Sequence, residues 1–366
     1  MTRKQLLLAA RVVIWAALAI SLWLLGRSLD FAQLRRALAA ADARLLALTV
    51  VAGLPGMLLS GMRWAALVNP VKRISMWTTI AAQAVGYLGS AILPVRAGEA
   101  VRVELLSRSA GISRAAATGT VALDHLVNGV VMFAFAALLP LLVPVPPWMS
   151  VVIWGGMAGA LLLALVLLRL AKTPSERDRP ARLQQLVVRL RSGLVALRNP
   201  RAVVPAAIYS ALAWVVEIAT TMIALAAFHL PHDVAHAMAV LFGLNLALAI
   251  PSPPANLGTF ELGAGMALVA FGGSKEQSAA FAIGLHGLQL STTILIGLFF
   301  LPRFRKKKGA EEQAETEPAA QDPAATGPAV LDQVAMQPAA QGQSANAQIA
   351  GELAAPDAAD SPSTRR

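Results

Sequence analysis

Apolar residues in this chain run in long unbroken stretches, not in the alternating or one-faced patterns of a soluble domain. Six stretches, at 5–26, 43–68, 114–144, 148–170, 202–229 and 277–301, each suit a membrane-crossing helix, which needs roughly 20 residues. The first follows MTRKQ and has the outline of a signal peptide, but Arg11 interrupts it and further spans follow, so it reads as a retained helix. Two other regions, 76–111 and 236–272, break the pattern. Each starts as an apolar run, stops at proline, turns through glycine and resumes as a second helix holding a glutamate. The spacing is Pro94-x3-Gly98-Glu99 in one and Pro254-x3-Gly258-x2-Glu261 in the other.

Charge placement turns this pattern into a topology. Arg3 and Lys4, the run Arg303–Lys308, and the 171–201 loop with eight bases against two acids all belong on the cytoplasmic side. Six full spans plus two hairpins that enter and leave on one side satisfy all three. The segment 27–44 then lies outside. Leu29, Phe31, Leu34 and Leu38 give it the spacing of a short amphipathic surface helix. In this arrangement span, hairpin and span over 43–144 recur over 202–301 from the opposite side. Proline-interrupted segments at matching positions of two inverted halves point to a transporter binding site.

Composition agrees. The chain is 57% hydrophobic and 14% charged, with mean hydropathy +0.62, against about a quarter charged in soluble domains. The fold class is therefore all-α integral membrane, with about six full transmembrane helices, two proline/glycine-broken re-entrant hairpins and a possible inverted repeat. There is no cysteine, which excludes disulfides and thiolate metal sites. The net charge of +11 conceals a split: from residue 310 onward there are nine acids against two bases, leaving the preceding part at about +18. That excess suits anionic head groups, at about 1 kcal/mol per basic residue near the surface. Nucleic acid is not the partner, because the bases cluster at predicted helix ends. Residues 1–305 form the membrane domain. Residues 306–366, rich in Ala, Pro, Gln and Glu, bury too little to fold and form a disordered cytoplasmic tail whose protein partner is unspecified. Trp23, Trp64, Trp77 and Trp148 fall near span ends, where indoles favour the interface. GGMAG at 155–159 has helix-packing spacing.

The charged stretch ILPVRAGEAVRVELLSR (92–108) carries the candidate chemistry. As a helix it places Arg96, Glu99 and Arg102 on one face and makes Glu104 and Arg108 an i,i+4 pair. Charge in hydrocarbon must pair or meet water, and a broken helix end frees N–H groups that attract anions. Two readings stand: a phosphate head-group pocket, and an interfacial helix whose charges sit in water. Glu261 either couples proton movement to transport or pairs with an arginine of the first hairpin. Asp124 fits a pair with Arg63 or Arg102. His125 is a packing histidine or a pairing group, and Glu217, in mid-span, is a functional candidate by its depth. His286 is a weaker candidate. His232, Asp233 and His236 have helical ligand spacing but fall on a surface turn, with Asp233 placed to cap a helix, and no metal is expected. No GxxxxGK[ST], HExxH or GxSxG motif occurs, so neither an enzyme nor a cofactor is expected.

At RW (63–64), LPVRAGEAVRVELLSRSAGIS (93–113), ALDHLVNG (122–129) and IPSPPANLGTFELG (250–263) the chain resembles the flippase-like membrane domain family. That family is named for the transmembrane region of lysylphosphatidylglycerol synthase. The resemblance covers roughly residues 5–305. It implies a multi-pass protein of the cytoplasmic (inner) membrane that binds or moves lipids, in stand-alone form without the aminoacyltransferase domain. Its pattern falls on Arg96, Gly98, Glu99 and Arg102, and on Pro254, Gly258 and Glu261. Two departures are His125, where an arginine is expected after the aspartate, and PSPPANLG, where the family is richer in glycine. The expectation is a protein, a candidate homo-oligomer in the membrane, that binds an anionic phospholipid or lipid-linked precursor and flips it. Arg96 and Arg102 would contact the head group and Glu99 would orient them. Arg63, Asp124, His125, Glu217 and Glu261 would pair charges or couple transport. A membrane-embedded enzyme acting on a lipid phosphate through Asp124 and His125, and a scaffold working through the tail, are the alternatives.

Overall fold

The computed structural model describes residue 23 and residues 30–93, 97–172, 193–249 and 254–316. Every regular element among them is helical. A short surface helix, α1 (Phe31–Ala39), precedes α2 (Ala43–Val68). The first hairpin is α3 (Met76–Ile92) and α4 (Gly98–Ala110). Then come α5 (Arg114–Ala136), the one-turn α6 (Leu139–Leu142) and α7 (Pro147–Lys172). The second half is α8 (Pro200–Ala227), a hairpin of α9 (Val234–Leu248) and α10 (Thr259–Ala270), and the long α11 (Lys275–Thr316).

Five stretches are long and apolar enough to cross a membrane: Ala43–Val68, Arg114–Leu142, Pro147–Arg169, Pro200–Ala227 and Lys275–Phe304. They coincide with five of the six expected spans. The expected span 5–26, most of the 171–201 loop and the tail beyond 316 lie outside the described residues. Large apolar side chains such as Val151, Trp154, Leu162, Leu295 and Phe299 face outward, as lipid-facing positions must when no water is present to expel them. Polar side chains start the helices. Asp30 accepts from the amides of Ala32 and Gln33, Asp42 from Arg44 and Leu45, and Asp233 from His236, filling backbone donors that a helix start leaves open.

Both interrupted regions are helical hairpins with antiparallel limbs. In the first, a Cβ on Gly98 would collide with the carbonyl of Gly86 and with Ser90, and Gly89 packs on Gly98 and Val101. In the second, Gly263 lies against Ala247, Gly243 and Leu244. Neighbours whose numbers rise on one limb as they fall on the other run antiparallel, so each hairpin returns to the side it entered. Glycine is required at these crossings because the two backbones touch. Gly111, in the left-handed region at φ 63°, ends α4.

The two halves repeat in order and in length. α2 and α8 have 26 and 28 residues, α3 and α9 have 17 and 15, and α4 and α10 have 13 and 12. The closing spans have 29 and 30. α2 and α8 pack side by side, with Gly53 against Thr220, Gly56 against Glu217, and Arg63 against Ser210, an antiparallel register centred on the pair. Each closing span crosses to the other half: Phe133 of α5 meets Phe242 of α9 edge-on, and Gly297 of α11 packs on Leu88 of α3.

Two expectations are corrected. Trp64 is not at an interface: it is fully buried, with its ring under the Arg102 guanidinium. Its place near a span end concealed this, because the end of α2 is covered by α4 and α5. In the 155–159 motif only Gly156 packs, against the ring of Phe133, while Gly155 and Gly159 have open space beside them.

Replacing Gly98 with valine should force the hairpin limbs apart and cost about 1–3 kcal/mol or more. Thermal unfolding in mild detergent will show a lower midpoint. Gly129→Ala, with nothing near its Cβ position, should be neutral or slightly stabilising.

Candidate functional site

The most buried polar link between the first hairpin and the rest of its half is one carboxylate. Asp124 on α5 accepts from Arg63 of α2 (Nε to Oδ1 2.7 Å, Nη2 to Oδ2 3.3 Å) and from Arg102 of α4 (Nη2 to Oδ2 3.0 Å). Arg102 also donates to Gln83 of α3 at 2.8 Å and to Glu99 at 3.1 Å. Its guanidinium carbon lies 4.4 Å above the Trp64 ring, a cation–π contact out of water. Gln83 passes the chain on to the Tyr87 hydroxyl at 2.6 Å, and Trp64 donates to Thr120 at 3.3 Å. Two arginines balance two carboxylates, so the buried cluster carries no net charge. This is the condition under which ions can sit at such depth.

From Arg63 the network reaches the second half. Its Nη1 donates to Asn128 at 2.8 Å and lies 3.5 Å from the Ser210 hydroxyl. Asn128 also accepts from Ser210 at 3.2 Å and from the Trp214 indole at 3.3 Å, both on α8.

The second hairpin is fastened by a histidine. His286 of α11 places Nδ1 2.7 Å from Glu261 Oε1 and Nε2 2.8 Å from the carbonyl of Ala255. A carbonyl only accepts, so Nε2 carries hydrogen, and one further proton is shared between Nδ1 and Glu261. The pair is neutral overall whichever atom holds that proton. Glu261 Oε2 accepts from the Gly258 amide at 2.7 Å, capping α10, and the imidazole stacks on Phe260 at 4.3 Å. Ala255 and Asn256 both sit at φ 57°, with Gly258 at φ 80°. His286 thus holds a loop whose left-handed turns disfavour non-glycine residues.

A looser, more exposed carboxylate–histidine contact, through the other ring nitrogen, occurs in the first half. His125 Nε2 lies 3.2 Å from Glu99 Oε1. In each half the carboxylate is on the second limb of the hairpin and the histidine, 26 or 25 residues later, is on the span that follows.

A cavity of about 420 Å³ opens between the halves. Arg63, Tyr87, Glu99, Asn128, Glu217 and Gln289 give it polar walls, while Leu241, Leu244 and Leu285 line an apolar side. Glu217 stands over Gly56, whose Cβ position is 3.2 Å from Oε1.

The sequence-derived residues separate accordingly. Arg63, Glu99 and Glu217 line the cavity. Asp124 joins Arg63 and Arg102, making both of the alternative pairs. Arg102 does not project toward a ligand: its side chain is 1% exposed and held by Asp124, Glu99 and Gln83. Burial of a guanidinium demands such partners, and the deep position of α4 supplies them. Glu261 pairs with His286 instead of an arginine of the first hairpin. Gly98 and Gly258 serve backbone packing and capping, and Pro254 opens the 3-10 turn Pro254–Asn256. Arg96 lies outside the described residues. His236 bonds Asp233 at 2.7 Å and His232 faces the Leu230 carbonyl at 3.1 Å, and among the described residues no group of three metal-binding side chains occurs. Gln83, Asn128 and the role of His286 escaped the sequence reading. The matched carboxylate–histidine spacing was the available signal for His286.

Glu104 accepts from Arg114 at 2.6 Å and from Arg108 at 2.6 Å. The hydrogen bonds from Arg114 and then Arg108 hold its carboxyl down at about 2, well below its ordinary value. A depressed carboxyl contributes stability above its ordinary pKa and loses it as pH falls toward the folded value. The melting difference between the wild type and Glu104→Gln should therefore be steady above about pH 5 and vanish toward about pH 2. Asp124→Asn leaves two buried guanidinium groups facing one another. It should cost about 3–5 kcal/mol, read as loss of monodisperse protein on size exclusion or a sharply lower melting point.

The sequence model of the lysylphosphatidylglycerol synthase TM region matches residues 14–297. No curated protein and no solved structure matches the chain significantly. The match takes in the described hairpins, the Asp124 cluster and the cavity between the halves. On that extent, the chain belongs to the lysylphosphatidylglycerol synthase TM region family and is a multi-pass integral membrane protein of a lipid-handling class.

Proposed function

We propose that the protein carries an anionic phospholipid or lipid-linked precursor across the cytoplasmic membrane, with the cavity between the halves as the head-group site. The observation that carries this reading is the cavity itself. It is lined by Arg63, Glu99 and Glu217, by amides and hydroxyls that include Asn128 and Gln289, and by the leucines of α9 and α11, and it sits among helices whose outer faces are apolar. A lipid matches that division, with its head group on the polar wall and its chains toward the bilayer. Arg63 lines the cavity and is tied to Asp124, and its Nη1 contact to Ser210 is long at 3.5 Å. A phosphodiester oxygen displaces that weak contact without disturbing the carboxylate pair. The repeated halves and antiparallel α2 and α8 support a site that opens alternately to either face.

Chemistry on the lipid is disfavoured. Both Asp124 oxygens already accept from guanidinium groups, which leaves that carboxylate poorly placed to take a proton from a substrate. The protein acts as a carrier.

Reconstitution into vesicles with a fluorescent phosphatidylglycerol, followed by quenching of the outer leaflet, tests this. Wild type should expose the inner-leaflet probe. Ser60→Trp, which fills the cavity from α2, should slow it by at least tenfold at unchanged folding. Equal rates for the two proteins would sink the cavity as the route. Equal rates for a phosphocholine analogue would remove the anionic preference.

A further inference from the structure

Among the described carboxylates of the buried region, three are held. Asp124 has two arginines, Glu99 has Arg102 and His125, and Glu261 has His286 and the Gly258 amide. Glu217 is different. It lies eighteen residues into the 28-residue α8, lines the cavity, and has no hydrogen-bond or ion-pair partner among the described residues. Its Oε1 faces the Cα of Gly56, and Val216 lies beside the same spot. The charged and titratable groups on the cavity walls are Arg63 on α2, Tyr87 on α3 and Glu99 on α4. Arg63 is seven residues from Gly56 along α2, about 10 Å at 1.5 Å per residue, and is committed to Asp124. α5, α9, α10 and α11 present amides, hydroxyls and apolar side chains to the cavity.

We infer that Glu217 is a proton-carrying group that couples lipid movement to a proton gradient. This rests on the carrier reading above. A carboxylate beside the lipid phosphodiester would enclose two anions together, so the lipid-loaded cavity closes over the protonated form. When it opens on the far face, lipid and proton both leave to that water, and the empty, water-filled cavity returns with Glu217 ionised. Glu217 takes a proton from the first face before the next lipid is enclosed. One proton thus crosses with each lipid, in the same conformational change, and no bond other than O–H is made or broken. The position of Glu217 on the central α2–α8 pair makes this possible. That pair lies at the centre of the repeat, where both openings share one site.

The test uses full-length protein in phosphatidylethanolamine/phosphatidylglycerol vesicles with a trace of fluorescent phosphatidylglycerol. The potential is clamped by potassium and valinomycin, and a pH step of about one unit is imposed. With one proton per lipid, a tenfold proton ratio drives up to about a tenfold probe asymmetry between leaflets. Wild type should reach an asymmetric distribution and Glu217→Gln an even one, at whatever rate it moves the probe. Asymmetry that persists in Glu217→Gln, or wild-type movement indifferent to the step, overturns the inference and leaves the carrier reading standing. If wild type moves no probe at all, the carrier reading falls, and an infrared difference spectrum decides on the proton site itself. Wild type minus Glu217→Gln in detergent at neutral pH should show the carbonyl stretch of a protonated carboxyl. Carboxylate bands in its place overturn the assignment.

Discussion

The fold of the first half depends on keeping Asp124 ionised and saturated. One carboxylate, 1% exposed, receives guanidinium hydrogen bonds from α2 and α4, so α2 and the consecutive α4 and α5 meet at a single group. Leaving either arginine without it would strand a cation in a region with little water, and leaving it without them would strand an anion. The cost of each failure exceeds the modest gain from the pair itself. The contact therefore acts more as a constraint on arrangement than as a source of stability. α4 must return into the protein, because only there does Arg102 find Asp124, Gln83 and the Trp64 ring together.

The second half solves the same geometric problem with less charge. Glu261, His286 and the Ala255 carbonyl fasten the hairpin loop with one neutral pair, and Gly243 and Gly263 bring its limbs into contact. The two carboxylate–histidine contacts occupy matching places. The position matching Asp124 in the second half has no comparable cluster: Leu285 precedes His286 as Asp124 precedes His125. The halves are thus alike in backbone and unlike in electrostatics. Unequal halves give the cavity Arg63 and Glu99 from the first half and the leucines of α9 and α11 from the second, and the carrier proposal uses that asymmetry to seat a head group and its chains.

Glu217 draws its interest from the contrast with these satisfied groups. In a region where other carboxylates have found donors, a carboxyl over a glycine with no donor among the described residues is the group on which the proton-coupling proposal rests. Gly56 opposite leaves that space open.

The sequence alone determined the class of molecule and the course of its backbone. Lengths of apolar runs dictate spans, because every backbone group in hydrocarbon must be paired within a helix. Ala43–Val68 was delimited to the residue, and proline followed by glycine announced both hairpins. The pair Glu104–Arg108 was equally legible, since it is local to one turn of helix. Tertiary structure alone decided which charges face a ligand and which are spent inside. Arg102 and Trp64 lie in a helix limb and at a span end that look solvent-facing on paper, and both are buried because other elements close over them. His286 and Asn128 were ordinary until folding set them against Ala255 and Arg63. Polar pairing in a membrane interior depends on three-dimensional proximity between residues up to 147 positions apart, as the hydrogen-bonded Arg63 and Ser210 are, and no local pattern encodes that distance.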